Sequence, residues 1–169
     1  MAGTVERISA VMATTPRRWL DLAATVSEDV LTRPAAEGEW SVVDCLRHLL
    51  QADRHVFPAR IRQFLAGDPQ LAPVDPSAIP PITEQTAGEL AEAFARAREE
   101  NLALVASLKP EDLELTGMSR RLGQVSVRDM LLQWAVHDLE HLAQADRALQ
   151  QAFLVESPPL QAVYAEQAG

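Results

Sequence analysis

The sequence predicts an all-α fold, a four-helix bundle with a long crossover, on three observations. Four segments of the 169-residue chain repeat apolar residues at steps of three and four, the helical period. No segment of useful length alternates apolar and polar residues as a half-buried strand does. Between the second and third segments, residues 71–83 (LAPVDPSAIPPIT) hold four prolines, which cannot form a regular helix and read as an extended connection. The length suits one domain over residues 1–169, large enough to bury a core without disulfides or a structural metal.

The first segment, residues 4–26, aligns Ile8, Met12, Trp19, Leu20, Ala23 and Val26 on one face. Thr15-Pro16 inside it predicts a kink or a restart, because proline is tolerated in the first turn of a helix and not in its interior. The second, residues 42–66, starts after Ser41 as N-cap, with Asp44 three residues on at the positive end of the helix dipole. Gly67-Asp68-Pro69 ends it and opens the crossover, residues 67–83, which is long enough to span the bundle. The third segment, residues 86–108, sets Leu90, Phe94, Ala97, Asn101, Leu104 and Leu108 in one seam whose only polar member is Asn101. After Pro110 a short turn, EDLEL, leads towards Gly123, and the fourth segment covers residues 126–153. The tail, residues 154–169, has room for one short helix. SVVDCL opening the second segment and SVRDML opening the fourth share their capping chemistry, which explains the likeness without an internal repeat.

Composition narrows the function. A formal charge of −9 disfavours nucleic acid as a partner, since that affinity comes mainly from Lys and Arg on phosphates. The pairs Arg17-Arg18 and Arg120-Arg121 read as solvated faces. No run approaches the roughly 18 apolar residues of a membrane span. The lone Cys45 cannot form an internal disulfide, and the opening residues have neither the basic region nor the apolar run of a secretion signal, so the expected location is the cytoplasm. There is no nucleophile elbow and no phosphate-binding glycine loop.

The chemistry lies in AVHDLEHLAQ, residues 135–144. His137 and His141 fill the missing positions of the stripe formed by Val127, Met130, Leu131, Trp134, Leu142, Ala145, Ala148 and Leu149, so both point inward. Residues at i and i+4 stack about 6 Å apart at Cβ, which lets two imidazoles converge on one ion. Two ligands bind weakly, and His48, beside the apolar stripe of the second segment and flanked by Cys45 and Ala52, is the candidate third. Three neutral imidazoles from two helices leave one side of an ion open, the pattern of a catalytic site. His55, a heptad after His48, competes as third ligand, and Cys45 is either a soft ligand or a buried inert thiol. Gln144, three after His141, and Gln133, four before His137, are placed to hold the ligands' outer ring nitrogens. Asp44 reads as the dipole complement of its helix, and Asp138 and Glu140 as solvated or interfacial. Asn101 and Trp134 are expected, with Cys45 and His55, to shape a pocket beside the site.

GEWSVVDCLRHLLQADRHVFPARIRQFLAGD followed by VSVRDMLLQWAVHDLEHLAQADRAL resembles the DinB-like superfamily of metal-binding four-helix bundles, named for a DNA-damage-inducible protein. The resemblance runs from about residue 15 to 149; its most specific parts are Trp40-Ser41 with His48 seven residues after that Ser, and His137-Asp-x-x-His141 with Gln144 three residues on. It implies an up-up-down-down bundle with a long crossover, and it makes His48, His137 and His141 a three-His site for one divalent ion, usually zinc or nickel. It also implies a metal-dependent enzyme on a small molecule, either a hydrolase or a thiol S-transferase using a low-molecular-weight thiol such as mycothiol or bacillithiol, and a homodimer. For an acidic thiol, Arg54, Arg60 or Arg62 would receive the carboxylates. The alternative is a non-enzymatic helical module binding a ligand or partner in a stress response.

Overall fold

A computed structural model describes residues 3–68, 70–71 and 74–167. Thr4–Met12 (α1) and Thr15–Thr25 (α2) make the first bundle helix, broken where Pro16 enters the first turn of α2. A single turn, Glu28–Leu31 (α3), follows. The second bundle helix opens with Val42–Gln51 (α4), where the Ser41 hydroxyl accepts from the Asp44 amide and the Asp44 carboxylate accepts from the Ser41 amide. It continues through a π-helical turn, Ala52–Val56, into Phe57–Leu65 (α5). There the Phe57 amide reaches back to the Ala52 carbonyl, and Pro58 has no N–H to resume the α ladder, so the turn accommodates one extra residue. Ala87–Ala106 (α6), capped by Thr86 and Glu89, is the third bundle helix. Val127–Leu154 (α7), capped by Ser126 and Asp129, is the fourth, and the tail forms Pro158–Gln167 (α8).

Two core clusters fix the sense of each helix. Ile8 and Met12 of the first helix pack with Phe57 and Ile61 of the second, Val105 of the third and Leu131 and Trp134 of the fourth. At the other end Trp19 and Leu22 meet Leu46 and Leu49, Leu90 and Phe94, and Ala145 and Ala148. The first and fourth helices therefore run one way, and the second and third run the other. The all-α bundle and its long crossover are as the sequence predicts, whereas the chain passes through it up-down-down-up and not up-up-down-down. The second and third helices are parallel neighbours, and a parallel pair needs a connection that returns the length of the bundle. That return is the Pro-rich segment.

The sequence gives no hint of a small sheet, ordered β1-β2-β3, made by Gln70–Leu71 (β1), Thr116–Ser119 (β2) and Gly123–Ser126 (β3). β1 pairs parallel with β2, with Leu71 beside Ser119, and β2 pairs antiparallel with β3. Strands of two to four residues are too short to show alternation, which is why they escape a reading by period. Gly123, at φ 75°, takes the left-handed conformation that closes the hairpin. Leu71 and Val125 seat the sheet on Phe64, Val127 and Met130. The crossover is fastened again where Arg54 pairs with Glu84 at 2.6 Å, a contact that draws the Glu84 carboxyl down to about 2. Among the described residues of the crossover, a 3₁₀ turn, Pro76–Ala78, is the one regular piece besides β1. Met1, Ala2, Pro69, Ala72, Pro73 and the final two residues of the tail lie outside the described residues. Among the described residues, no helix is long and apolar enough to cross a membrane.

Candidate metal centre

His48 projects from α4 and His137 and His141 from α7, two helices in close contact along their length. The helical spacing brings all three imidazoles together: one ring nitrogen of each lies within 4.8 Å of the others. The closest approach, 3.0 Å, joins Nε2 of His48 to Nε2 of His137. Nitrogens about 2.0–2.1 Å from one ion at the tetrahedral angle stand about 3.4 Å apart, so this spread suits a single cation. The rings are partly buried. Burial, followed by the neighbouring His141, His48 and Arg98, brings His137 down to about 3, and burial with His141 lowers His48. Both are therefore neutral near pH 7, the form that binds metal.

The surroundings orient the rings. Nδ1 of His141 donates to Oε1 of Gln144 at 2.9 Å, which turns the Nε2 lone pair towards the cluster. Gln133 does not do the same for His137: Oε1 of Gln133 and Nδ1 of His137 are both buried and both lack a partner among the described residues. Trp40 stacks on His141 at 5.5 Å and tilts against His48 at 5.0 Å, and Phe57 presents its edge to His137. In the sequence Trp40 stands out only as part of the Trp-Ser pair before the helix, and its contact with two histidines adds it to the site.

Behind the histidines lies a charged network that sequence reasoning missed. Arg98 of α6 is fully buried and grips both Asp53, through Nε at 2.8 Å and Nη2 at 2.9 Å, and Asp138. Asp53 also accepts from Nε1 of Trp134 at 2.8 Å, and Asn101 donates to its main-chain carbonyl at 2.9 Å. The Thr15 hydroxyl completes the cage between Asp138 and Arg98. Asp138, expected to be solvated or interfacial, is thus part of the bundle interior. It is wholly buried, because α7 packs against the first helix on one side and α4 on the other, and its buried arc is wider than the apolar stripe. Burial pushes the Asp138 carboxyl up, the same desolvation opposes the Arg98 charge, and the two carboxylates hold Arg98 above its ordinary value.

His48 and His137 open onto a cavity of about 630 Å³ between α4–α5, the crossover and the β2–β3 hairpin. Its wall includes Phe57, Arg60, Leu71, Ile79, Arg120, Arg121 and Gln133. The residues expected to shape a pocket are elsewhere. Cys45 is in the core with its thiol pushed up to about 11 by burial, and Asn101 and Trp134 are committed to Asp53. His55 lines an adjoining cavity of about 330 Å³, which shares Val56, Arg60, Val74 and Ile79 with the first, and is not part of the three-nitrogen cluster. Of the arginines proposed for an acidic thiol, Arg60 faces the cavity, Arg54 is paired with Glu84, and Arg62 is exposed. Arg120 and Arg121, read as solvated, are exposed and also form part of the cavity wall.

A family model described as the DinB superfamily matches residues 12–145. No curated protein matches the chain. Among solved structures the chain is similar to one described as "YfiT from Bacillus subtilis is a probable metal-dependent hydrolase with an unusual four-helix bundle topology", with a TM-score of 0.74 and 14% identity, covering 87% of this chain and 86% of that one. At that identity the likeness is one of fold.

Proposed function

Since the chain belongs to the DinB superfamily, we propose that it binds one divalent ion through His48, His137 and His141 and acts as a metal-dependent enzyme on a small molecule, as a hydrolase or a thiol S-transferase. The observation that carries this reading is the convergence of three imidazole nitrogens within 4.8 Å, two of them on the wall of a cavity of about 630 Å³. YfiT, similar in fold, is itself described as "a probable metal-dependent hydrolase". The donor set fits such an ion: imidazole suits zinc and nickel, and three protein ligands leave a position for substrate. A cation held there would supply Lewis acidity, lowering the pKa of water or of a thiol brought to it.

The chain's own residues bind, orient and exclude water. Gln144 fixes the His141 tautomer, Trp40 and Phe57 cover the imidazoles, and the Arg98 network anchors α7 against α6 and the π turn. No carboxylate lines the cavity among the described residues, so it offers no Asp or Glu as a general base. Elemental mass spectrometry of untagged protein tests the reading. Near one equivalent of zinc or nickel is expected in the wild type and little in His137→Ala. A folded wild type that stays empty when metal is supplied would overturn it and leave a metal-free binding module.

A further inference from the structure

Three arginines line the cavity beside the histidines, and no carboxylate lines it with them among the described residues. Arg60 comes from α5, and Arg120 and Arg121 come from the turn between β2 and β3; all three line the cavity. None of them has a carboxylate within ion-pair distance among the described residues. Elsewhere Arg18 pairs with Asp146, Arg54 with Glu84 and Arg128 with Glu114; what sets Arg60, Arg120 and Arg121 apart is that all three line one cavity. Arg60 is half-buried and has lost part of its hydration, so its charge favours a counter-anion there.

The placement is built into the fold. Because β1 of the crossover pairs with β2 of the hairpin, the turn carrying Arg120 and Arg121 is tied to the segment that brings Leu71, Val74 and Ile79 to the same wall. With Val56, Phe57 and Leu122 these residues make the remainder largely apolar, and Gln133 adds a side-chain oxygen that has no donor among the described residues. Planar guanidinium groups match carboxylate and phosphate oxygens two at a time, and they do so more strongly where water is partly excluded.

We propose that this cavity binds a small molecule with an apolar body and an anionic group, carboxylate or phosphate, whose anion is held by Arg60, Arg120 and Arg121 while its other end lies against His48 and His137. The anion arm stands without a metal; only the chemistry at the histidines rests on the function proposed above.

Calorimetric titration of the full-length protein, metal-free and zinc-loaded, with phenyl phosphate, benzoate and neutral benzamide tests the arm. At least one anionic probe is expected to bind about tenfold or more tightly than benzamide, the equivalent of about 1.4 kcal/mol, and to weaken as ionic strength rises. The tighter of the two identifies the group as phosphate or carboxylate. In Arg60→Gln/Arg121→Gln the preference should vanish, and in Arg96→Gln, whose partner is Glu92 on the surface, it should persist. Equal binding of all three probes, binding of none, or a preference kept by the double variant overturns the proposal. Anion preference in a protein that never takes up metal would overturn the metalloenzyme reading and leave the anion site standing.

Discussion

Asp138 follows His137 and, about 100° further round the helix, faces a cage of Arg98, Thr15 and, through Arg98, Asp53. Removing the one cation that holds two buried carboxylates leaves both uncompensated. Arg98→Met should therefore cost about 3–5 kcal/mol, seen as a loss of roughly 10–15 °C in thermal denaturation, and an unchanged melting temperature would refute the account. The histidines were legible because an i,i+4 pair on an apolar stripe and a third His counted from a capping serine are local signals. The network was not. Arg98 sits in FARAREEN and Asp53 in QADRHV, runs of mixed charge that look solvated, and only the packing of four helices reveals that each charge meets its opposite. Arg120 and Arg121 are exposed as expected, and that they also line a cavity is not legible for the same reason: what lies across a cavity from a residue is not written next to it.

The helices were readable wherever their ends carry capping chemistry. Ser41 with Asp44, Thr86 with Glu89 and Ser126 with Asp129 each begin a bundle helix within one residue of the expected start. Ser126→Ala removes an acceptor for the Asp129 amide and should cost about 1 kcal/mol, lowering the melting temperature by about 2–4 °C, while Ser157→Ala, just before α8, should leave it unaltered. The elements that escaped are those without a period. The strands are too short to alternate, and the π turn leaves no residue pattern beyond Pro58, whose missing N–H is the only local sign that the second helix is not regular. The hairpin and the crossover strand matter more to the cavity than their length suggests, since they form the wall opposite α5.

Across the molecule, the order of helices explains why so much proline lies between the second and third: a parallel return needs length and no competing helix. The histidines join the second helix to the fourth, and the Arg98 network joins the second and third to the fourth, so a bound ion would bias the whole bundle towards its folded state. Zinc or nickel at about 100 times its Kd should add about 2.7 kcal/mol and raise the melting temperature by about 5–10 °C, with no rise in His137→Ala. The π turn has a consequence for how such a chain can change over generations. α4 belongs to one core cluster and α5 to the other, and the extra residue in Ala52–Val56 sets the phase between them. Deleting one codon there would make the helix more regular, but it would rotate one half by about 100° against the other. Either His48 or Ile61 would then leave its place, so the irregular turn and the histidine site are inherited together.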